Sequence, residues 1–207
     1  MTSSFPDLTD RSVAVVTIDM HRGHLDPEVA TMPLAPERAK RVTDANKAFV
    51  DAARAKGVPI VHVVTQYNSV EEIASNPWWA SVAGTSATRA NVLNHQIPGS
   101  PGLDVMPSLV GEGDLYVRTK RRYDSFAESD LDFVLRALGA EVLLLTGVNT
   151  NSCVLATTVA ANARDYSAIV VEDCVDTMDP TLHDSALAII RQAFGWTATG
   201  DELVAAL

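Results

Sequence analysis

The chain has 207 residues, 47% of them hydrophobic and 20% charged, with a formal net charge of −10. That length suits one domain with a full-sized core, residues 1–207. No apolar run approaches the roughly 20 residues that span a bilayer, and an acidic chain lacks the basic face that nucleic-acid phosphates require. Neither a membrane nor a nucleic acid is therefore expected as a partner.

Two cysteines, Cys153 and Cys174, are too few for a disulfide framework or a cysteine-built zinc site. The opening "MTSSFPDLTDRS" has neither the basic nor the apolar region of a secretory leader, so a cytoplasmic location is expected.

Strand and helix signals alternate along the chain. "SVAVVTI", Ser12 to Ile18, is a short β-branched run of the kind that forms a buried parallel strand. A helix follows in "APERAKRVTDANKAFVDAARAKG", with Val42, Ala45, Phe49, Ala52 and Ala53 at helical spacing and Gly57 as its stop. "VPIVHVV" is a second strand and "DLYVRT" a third, followed by a helix in "SDLDFVLRAL". "EVLLLTG" is a fourth strand, and the helix after Cys153 extends to about Asp165. "SAIVVE", a helix in "DPTLHDSALAIIRQAFG" and a sixth strand in "WTAT" complete the pattern. This rhythm predicts a three-layer α/β/α fold around a six-stranded, mostly parallel sheet. Only residues 68–113 break it, and they read as a functional excursion over the strand ends.

Open parallel sheets bind ligands beyond the carboxyl ends of their strands. Asp19 follows strand one, Lys120 follows strand three and Cys153 follows strand four. Each has a plainer reading: a turn cap for Asp19, a solvated basic run for Lys120 in "TKRR", a small buried hydrophobe for Cys153. Together they read differently. A thiol at a helix start lies where backbone N–H groups favour a thiolate or an oxyanion, a carboxylate can serve as base, and a lysine can hold both anions. Cys174 has no such setting and reads as structural.

The histidines offer no clear base. His21 and His24, with Asp26, are too closely spaced for a recognisable metal motif, so no metal is expected. His62 reads as a core residue, His95 as one able to approach the pocket and His183 as a surface residue. "DMHRGHLDPE" after strand one has no GxGxxG, and no GxxxxGK[ST] occurs. Nucleotide cofactors are disfavoured, and no cofactor is expected.

With these residues placed, four segments in order resemble the isochorismatase-like cysteine hydrolases. They are "VVTIDMHRGHLDP", "IPGSPGLDVMPSL", "VRTKRRYDSFAESDLDFVLRALGAEVLLLTG" and "GVNTNSCVLATTVAANARDYSAIVVEDCVDT". The family includes hydrolases of nicotinamide, N-carbamoylsarcosine, ureidoacrylate and biuret. The resemblance implies a Rossmann-like strand order, a triad of Asp19, Lys120 and Cys153, and a cis peptide at Val148–Asn149. It also implies an oxyanion hole made by the backbone amides of Asn149 and Cys153.

Zinc-binding members carry an Asp-x-His after strand two, where this chain reads "VVTQYNS", so that metal site is expected to be absent. His21 stands where the family often has glutamine. The implied activity is hydrolysis of a C–N bond in a small amide, ureido or carbamoyl compound, with water as second substrate. Gln66, Tyr67, Trp78, Tyr123 and His21 are expected to line the pocket. Trp78 and Trp79 stand between core, pocket wall and subunit contact, and a homodimer or homotetramer is expected. The alternatives are a metal-assisted or hydrazide- or imide-cleaving hydrolase of the same fold, and a catalytically silent thiol redox sensor.

Overall fold

The computed structural model describes residues 5–207; the first four residues of the stretch read above for a leader lie outside them. The chain begins with β1 (Val13–Ile18), a short helix α1 (Arg22–Leu25), the long α2 (Pro36–Ala55) and β2 (Ile60–Thr65). Two short helices, α3 (Val70–Ala74) and α4 (Pro77–Val82), lead through 3₁₀ turns to β3 (Leu115–Lys120) and α5 (Leu131–Ala137). Then come β4 (Val142–Val148), a π-helical turn (Thr150–Val154), α6 (Leu155–Asn162) and β5 (Ser167–Asp176). The chain finishes with α7 (His183–Ala193), β6 (Trp196–Ala198) and α8 (Gly200–Ala206).

The six strands form one sheet in the order β3-β2-β1-β4-β5-β6, and every neighbouring pair is parallel. The apolar runs are continuous because both faces are covered. Val13 and Val15 of β1 enter a cluster with Phe49, Val50 and Ala53 of α2 and Leu203 of α8. Ala14, Val16 and Ile18 enter the opposite cluster, with Leu131 and Leu135 of α5, Ala161 of α6 and Ile190 of α7. Alternate residues of β4 divide between the clusters in the same way. Each buried Val, Leu, Ile or Phe side chain among them contributes roughly 1.5–3 kcal/mol, and each alanine less.

Local signals set the helix ends. Pro36 stands in the first turn of α2, where its missing N–H costs nothing, and Gly57 adopts φ 77° just beyond the end. Several boundaries shift from the sequence reading, β2 to Ile60–Thr65 and the end of α6 to Asn162 among them, and a last helix is added. β5 continues to Asp176, because Cys174 and Val175 are fully buried. β3 is displaced by one residue and includes Lys120. The last helix, α8, was not anticipated; Thr199 starts it through a reciprocal capping box with Glu202.

The excursion has a small core of its own, in which Tyr67, Ile73, Trp79 and Val92 pack with Met32. It is therefore a built wall above the strand ends. No helix among the described residues is long and apolar enough to cross a membrane.

Candidate active site

Beyond the carboxyl ends of β1, β2 and β3 a narrow cleft is lined by Asp19, Thr65, Lys120 and Cys153. Lys120 reaches it through a register change. Val63 pairs with Val117, but Thr65 pairs with Lys120, so β3 carries one extra residue between these pairs. Without that bulge Thr119 would stand opposite Thr65; with it the lysine turns into the interior, where its side chain is 1% exposed.

The Lys120 Nζ donates to Asp19 Oδ2 at 2.7 Å and lies 3.4 Å from Cys153 Sγ. It also donates to Thr65 Oγ1, and that hydroxyl donates in turn to Asp19 Oδ1 at 2.8 Å. The Thr65 N–H binds the same oxygen at 2.8 Å. Thr65 thus ties carboxylate and ammonium together, a role that the sequence reading missed because a threonine ending a strand carries no distinguishing signal.

Asp19 has φ 53°, a left-handed conformation that aspartate tolerates better than most residues. On the adjoining strand Gly147 has φ 114°, and a Cβ there would lie 2.0 Å from the Ile18 carbonyl oxygen. Glycine is what lets β4 approach β1 this closely just before the turn that carries Cys153. The Val148–Asn149 peptide bond is cis. Asn149 Oδ1 accepts from the Met178 N–H at 2.9 Å, which anchors the turn to the end of β5.

The electrostatics follow from burial. Burial raises the Asp19 carboxyl, but the Lys120 ammonium beside it more than reverses this and holds it well below the usual carboxylate range. Burial lowers Lys120, and the charges of Asp19 and Cys153 reverse that, leaving its pKa raised. Burial pushes the Cys153 thiol up to about 11; Lys120 opposes the rise and Asp19 adds to it. The resting site is therefore carboxylate, ammonium and thiol, and the proton leaves sulfur only when something else stabilises the negative charge.

The expected pocket residues divide. Tyr67 and Tyr123 line the cleft. Trp78 does not: it is 54% exposed and faces a neighbouring groove, while Trp79, 3% exposed, forms the wall. The cause is helical phase, since α4 starts at Pro77 and turns only one of two adjacent residues inward. Gln66 also stands outside the lining, because the alternation that turns Thr65 and Tyr67 in turns it away. His21 is fully buried but lies behind Asp19, its Nε2 3.8 Å from Asp19 Oδ1, and it does not reach the cleft surface. His183 is not a plain surface residue; half-buried, it meets Thr150 Oγ1 at 3.0 Å. His62 is a satisfied core histidine between Thr17 and Asp114.

Besides Thr65, the lining residues His24, Met32, Arg89, Val92 and Arg122 were not anticipated. Arg89 Nη2 donates to Ser152 Oγ at 3.0 Å, and its guanidinium lies 4.8 Å over the Tyr123 ring. The Tyr123 hydroxyl accepts from Trp79 Nε1 at 2.8 Å, and Arg122 lies 4.9 Å over Trp79. No ion pair among the described residues involves Arg89 or Arg122, whereas Arg22, Arg54 and Arg121 each hold a carboxylate. A broader cleft beside β6, between Arg191, Trp196 and Glu202, shares no lining residue with this one.

His24 and His95 meet in the cleft wall with His21 behind them. Burial pushes His21 down to about 3 and His24 to about 4, and it holds His95 well below the usual histidine value, so all three are neutral near pH 7. Asp26 is turned away onto Arg22, 2.7 Å distant. Neither ring nitrogen of His21 has a hydrogen-bond partner among the described residues. Leaving a buried polar group unpaired costs about 1–3 kcal/mol.

The fold is that of an open α/β protein with a buried thiol, ammonium and carboxylate meeting at the carboxyl edge of its six-stranded parallel sheet. The Isochorismatase domain model matches residues 13–202, and the chain belongs to the isochorismatase family. It is similar to the ureidoacrylate amidohydrolase of Methylobacterium radiotolerans, 34% identical over 156 residues. That match covers 72% of this chain and 60% of the relative. The ureidoacrylate amidohydrolase of Caulobacter vibrioides is 29% identical over 201 residues, covering 91% of this chain and 88% of the relative. Among solved structures, a cysteine hydrolase from Pseudomonas syringae pv. phaseolicola has the same fold, with a TM-score of 0.81 at 23% identity, over 94% of this chain and 92% of the other.

Proposed function

We propose that this chain, as one hydrolase domain, cleaves a C–N bond in a small amide, ureido or carbamoyl compound through a covalent intermediate on Cys153. The observation that carries the reading is the convergence of Asp19, Lys120 and Cys153 on one buried point, with Lys120 in reach of both partners. Its relatives' activity on ureidoacrylate belongs to the same chemical class.

As sulfur bonds to the substrate carbonyl carbon, the thiol proton passes to Asp19, and Lys120 remains charged beside both groups. The oxygen of the tetrahedral intermediate accepts from the backbone N–H groups of Asn149 and Cys153, where one donor is worth about 10²–10³ in rate. Asp19 returns the proton to the departing nitrogen, which leaves as ammonia or an amine. Water, deprotonated by the same carboxylate, then attacks the thioester or thiocarbamate and restores the thiol. The sulfur that is a poor nucleophile at rest becomes a good one only with a carbonyl in place, which suppresses idle alkylation or oxidation.

The substrate is anionic. Arg89 and Arg122 line the cleft with no carboxylate partner among the described residues, in a chain whose net charge is −10. Arg122 already donates to the carbonyls of Arg121 and Glu72 and to Ser75 Oγ, so Arg89 is the guanidinium open to a substrate. A guanidinium binds a carboxylate in planar, two-point fashion. A ureido or carbamoyl acid, with its carboxylate at Arg89 and its carbonyl at Cys153, fits both ends. A cytoplasmic location and assembly as a homodimer or homotetramer are part of the same proposal. Trp78, 54% exposed beside the excursion, is an apolar side chain available for such a contact, and sedimentation tests it.

Ammonia release from matched pairs of ureido acids and their neutral analogues tests the reading. Cys153→Ala should lower turnover by several orders of magnitude while the melting curve is retained. Unchanged turnover in that variant rules out the nucleophile. Iodoacetamide labelling of Cys153 without hydrolysis of any compound would favour the thiol sensor instead.

A further inference from the structure

We infer that His21, His24 and His95 form a binding site for a divalent first-row transition metal, beside the cysteine and distinct from any site after β2. Their ligand atoms lie within 4.8 Å of one another, and all three side chains are buried. The ring centroids of His24 stand 4.8 Å from those of His21 and 4.6 Å from those of His95.

The hydrogen bonds at the rear of the cluster define which nitrogens are available. His24 Nδ1 lies 2.7 Å from the Met32 carbonyl oxygen, which can only accept, so the proton is on Nδ1 and Nε2 carries a lone pair. His95 Nδ1 lies 2.8 Å from Thr31 Oγ1, and a hydroxyl accepting there leaves His95 Nε2 free in the same way. A carbonyl or hydroxyl behind the ring is the arrangement that orients metal-binding imidazoles. His21 supplies the independent observation: it is fully buried and both its ring nitrogens lack a partner among the described residues. The rings of His21 and His24 are stacked, with 18° between their planes, so His21 has to turn about its side-chain bonds to aim a lone pair at an ion shared with His24 and His95.

Three nitrogen ligands suit Zn²⁺ or Co²⁺, with bonds of about 2.0–2.1 Å and donor atoms about 3.4 Å apart. Binding therefore draws the most distant donor atoms together by about 1.4 Å, through rotation of the side chains. Two charges act on the ion: the Asp19 carboxylate, 3.8 Å from His21 Nε2, favours it, and the Lys120 ammonium opposes it. His24 and His95 belong to the cleft wall, so the remaining coordination position faces the cleft and would take water or a substrate oxygen. The inference stands apart from the proposed hydrolysis, because the metal is read directly.

Untagged protein is grown with added Zn²⁺, dialysed against metal-free buffer and assayed for bound metal. About one equivalent per chain is expected, and replacement with Co²⁺ should give the visible bands of a low-coordinate ion. His24→Asn and His95→Asn, with unchanged circular dichroism, should each weaken binding by about 100-fold. Should these variants fail to fold, the parent serves: its melting temperature should rise on adding Zn²⁺ and level off at one equivalent. Folded parent holding less than a tenth of an equivalent, with a melting temperature indifferent to Zn²⁺ and Co²⁺, overturns the inference. So does full metal retention in the folded double variant.

Discussion

Replacing Lys120 by methionine keeps most of the side-chain volume and removes the charge. Lys120 and Asp19 are each 1% exposed and meet at 2.7 Å. In the variant Asp19 keeps the two hydrogen bonds from Thr65 to Oδ1, and Oδ2 loses its charged donor. Breaking a buried pair on one side costs about 3–5 kcal/mol, because the remaining charge is left desolvated. For a domain of this size each kcal/mol lowers the melting temperature by about 2–4 °C, so a fall of roughly 6–20 °C is expected. The double variant Asp19→Asn/Lys120→Met removes both charges and should recover most of the loss. Urea denaturation of parent, two single variants and the double variant gives the coupling energy. A Lys120→Met protein within about 1 kcal/mol of the parent, with no coupling to Asp19, would show that the two groups are solvated separately and would refute the buried cluster. Loss of activity alone would not distinguish these cases.

Three further outcomes follow from the same structure. Arg89→Gln should lower kcat/KM for carboxylate-bearing substrates by about 10²-fold while sparing neutral analogues, the expected result of deleting a charged hydrogen-bonding partner; equal losses on both would refute the anion assignment. Gly147→Ala forces a Cβ to 2.0 Å from the Ile18 carbonyl oxygen at φ 114°, and should cost more than about 3 kcal/mol or abolish soluble expression; a melting temperature like the parent's would contradict the close approach of β1 and β4. For pH, the Asp114 side chain is 2% exposed and desolvation raises its carboxyl, yet hydrogen bonds from Arg54, His62 and the Gly111 N–H hold it below the ordinary value. A depressed carboxylate contributes stability that is fully present above its unfolded pKa, about 4, and lost as pH falls through the folded one. The stability gap between parent and Asp114→Asn should thus be level above about pH 5 and narrow below pH 4; a gap that widens on acidification would reverse the sign.

The alternation of short β-branched runs with helical segments determined the sheet, because central strands buried on both faces are apolar at most positions, with Thr17, His62 and Thr146 among the buried polar exceptions in β1, β2 and β4. For the same reason Asp19, Lys120 and Cys153 were conspicuous: polar or reactive residues at the ends of such runs fall where parallel sheets leave an open crevice. What the sequence did not contain was phase. One added residue in β3 decides that Lys120, and not Thr119, stands opposite Thr65, and a bulge is set by pairing with a strand over 50 residues away. The same holds for Trp78 and Trp79, where the start of a six-residue helix selects which indole forms the wall. The histidine cluster was the least visible. His21 and His24 are close in sequence and too ordinary to interpret alone, while His95 arrives from an excursion whose path depends on its own small hydrophobic core. Local pattern records which residues a segment must bury; which distant side chains share that interior depends on contacts that only the folded chain makes.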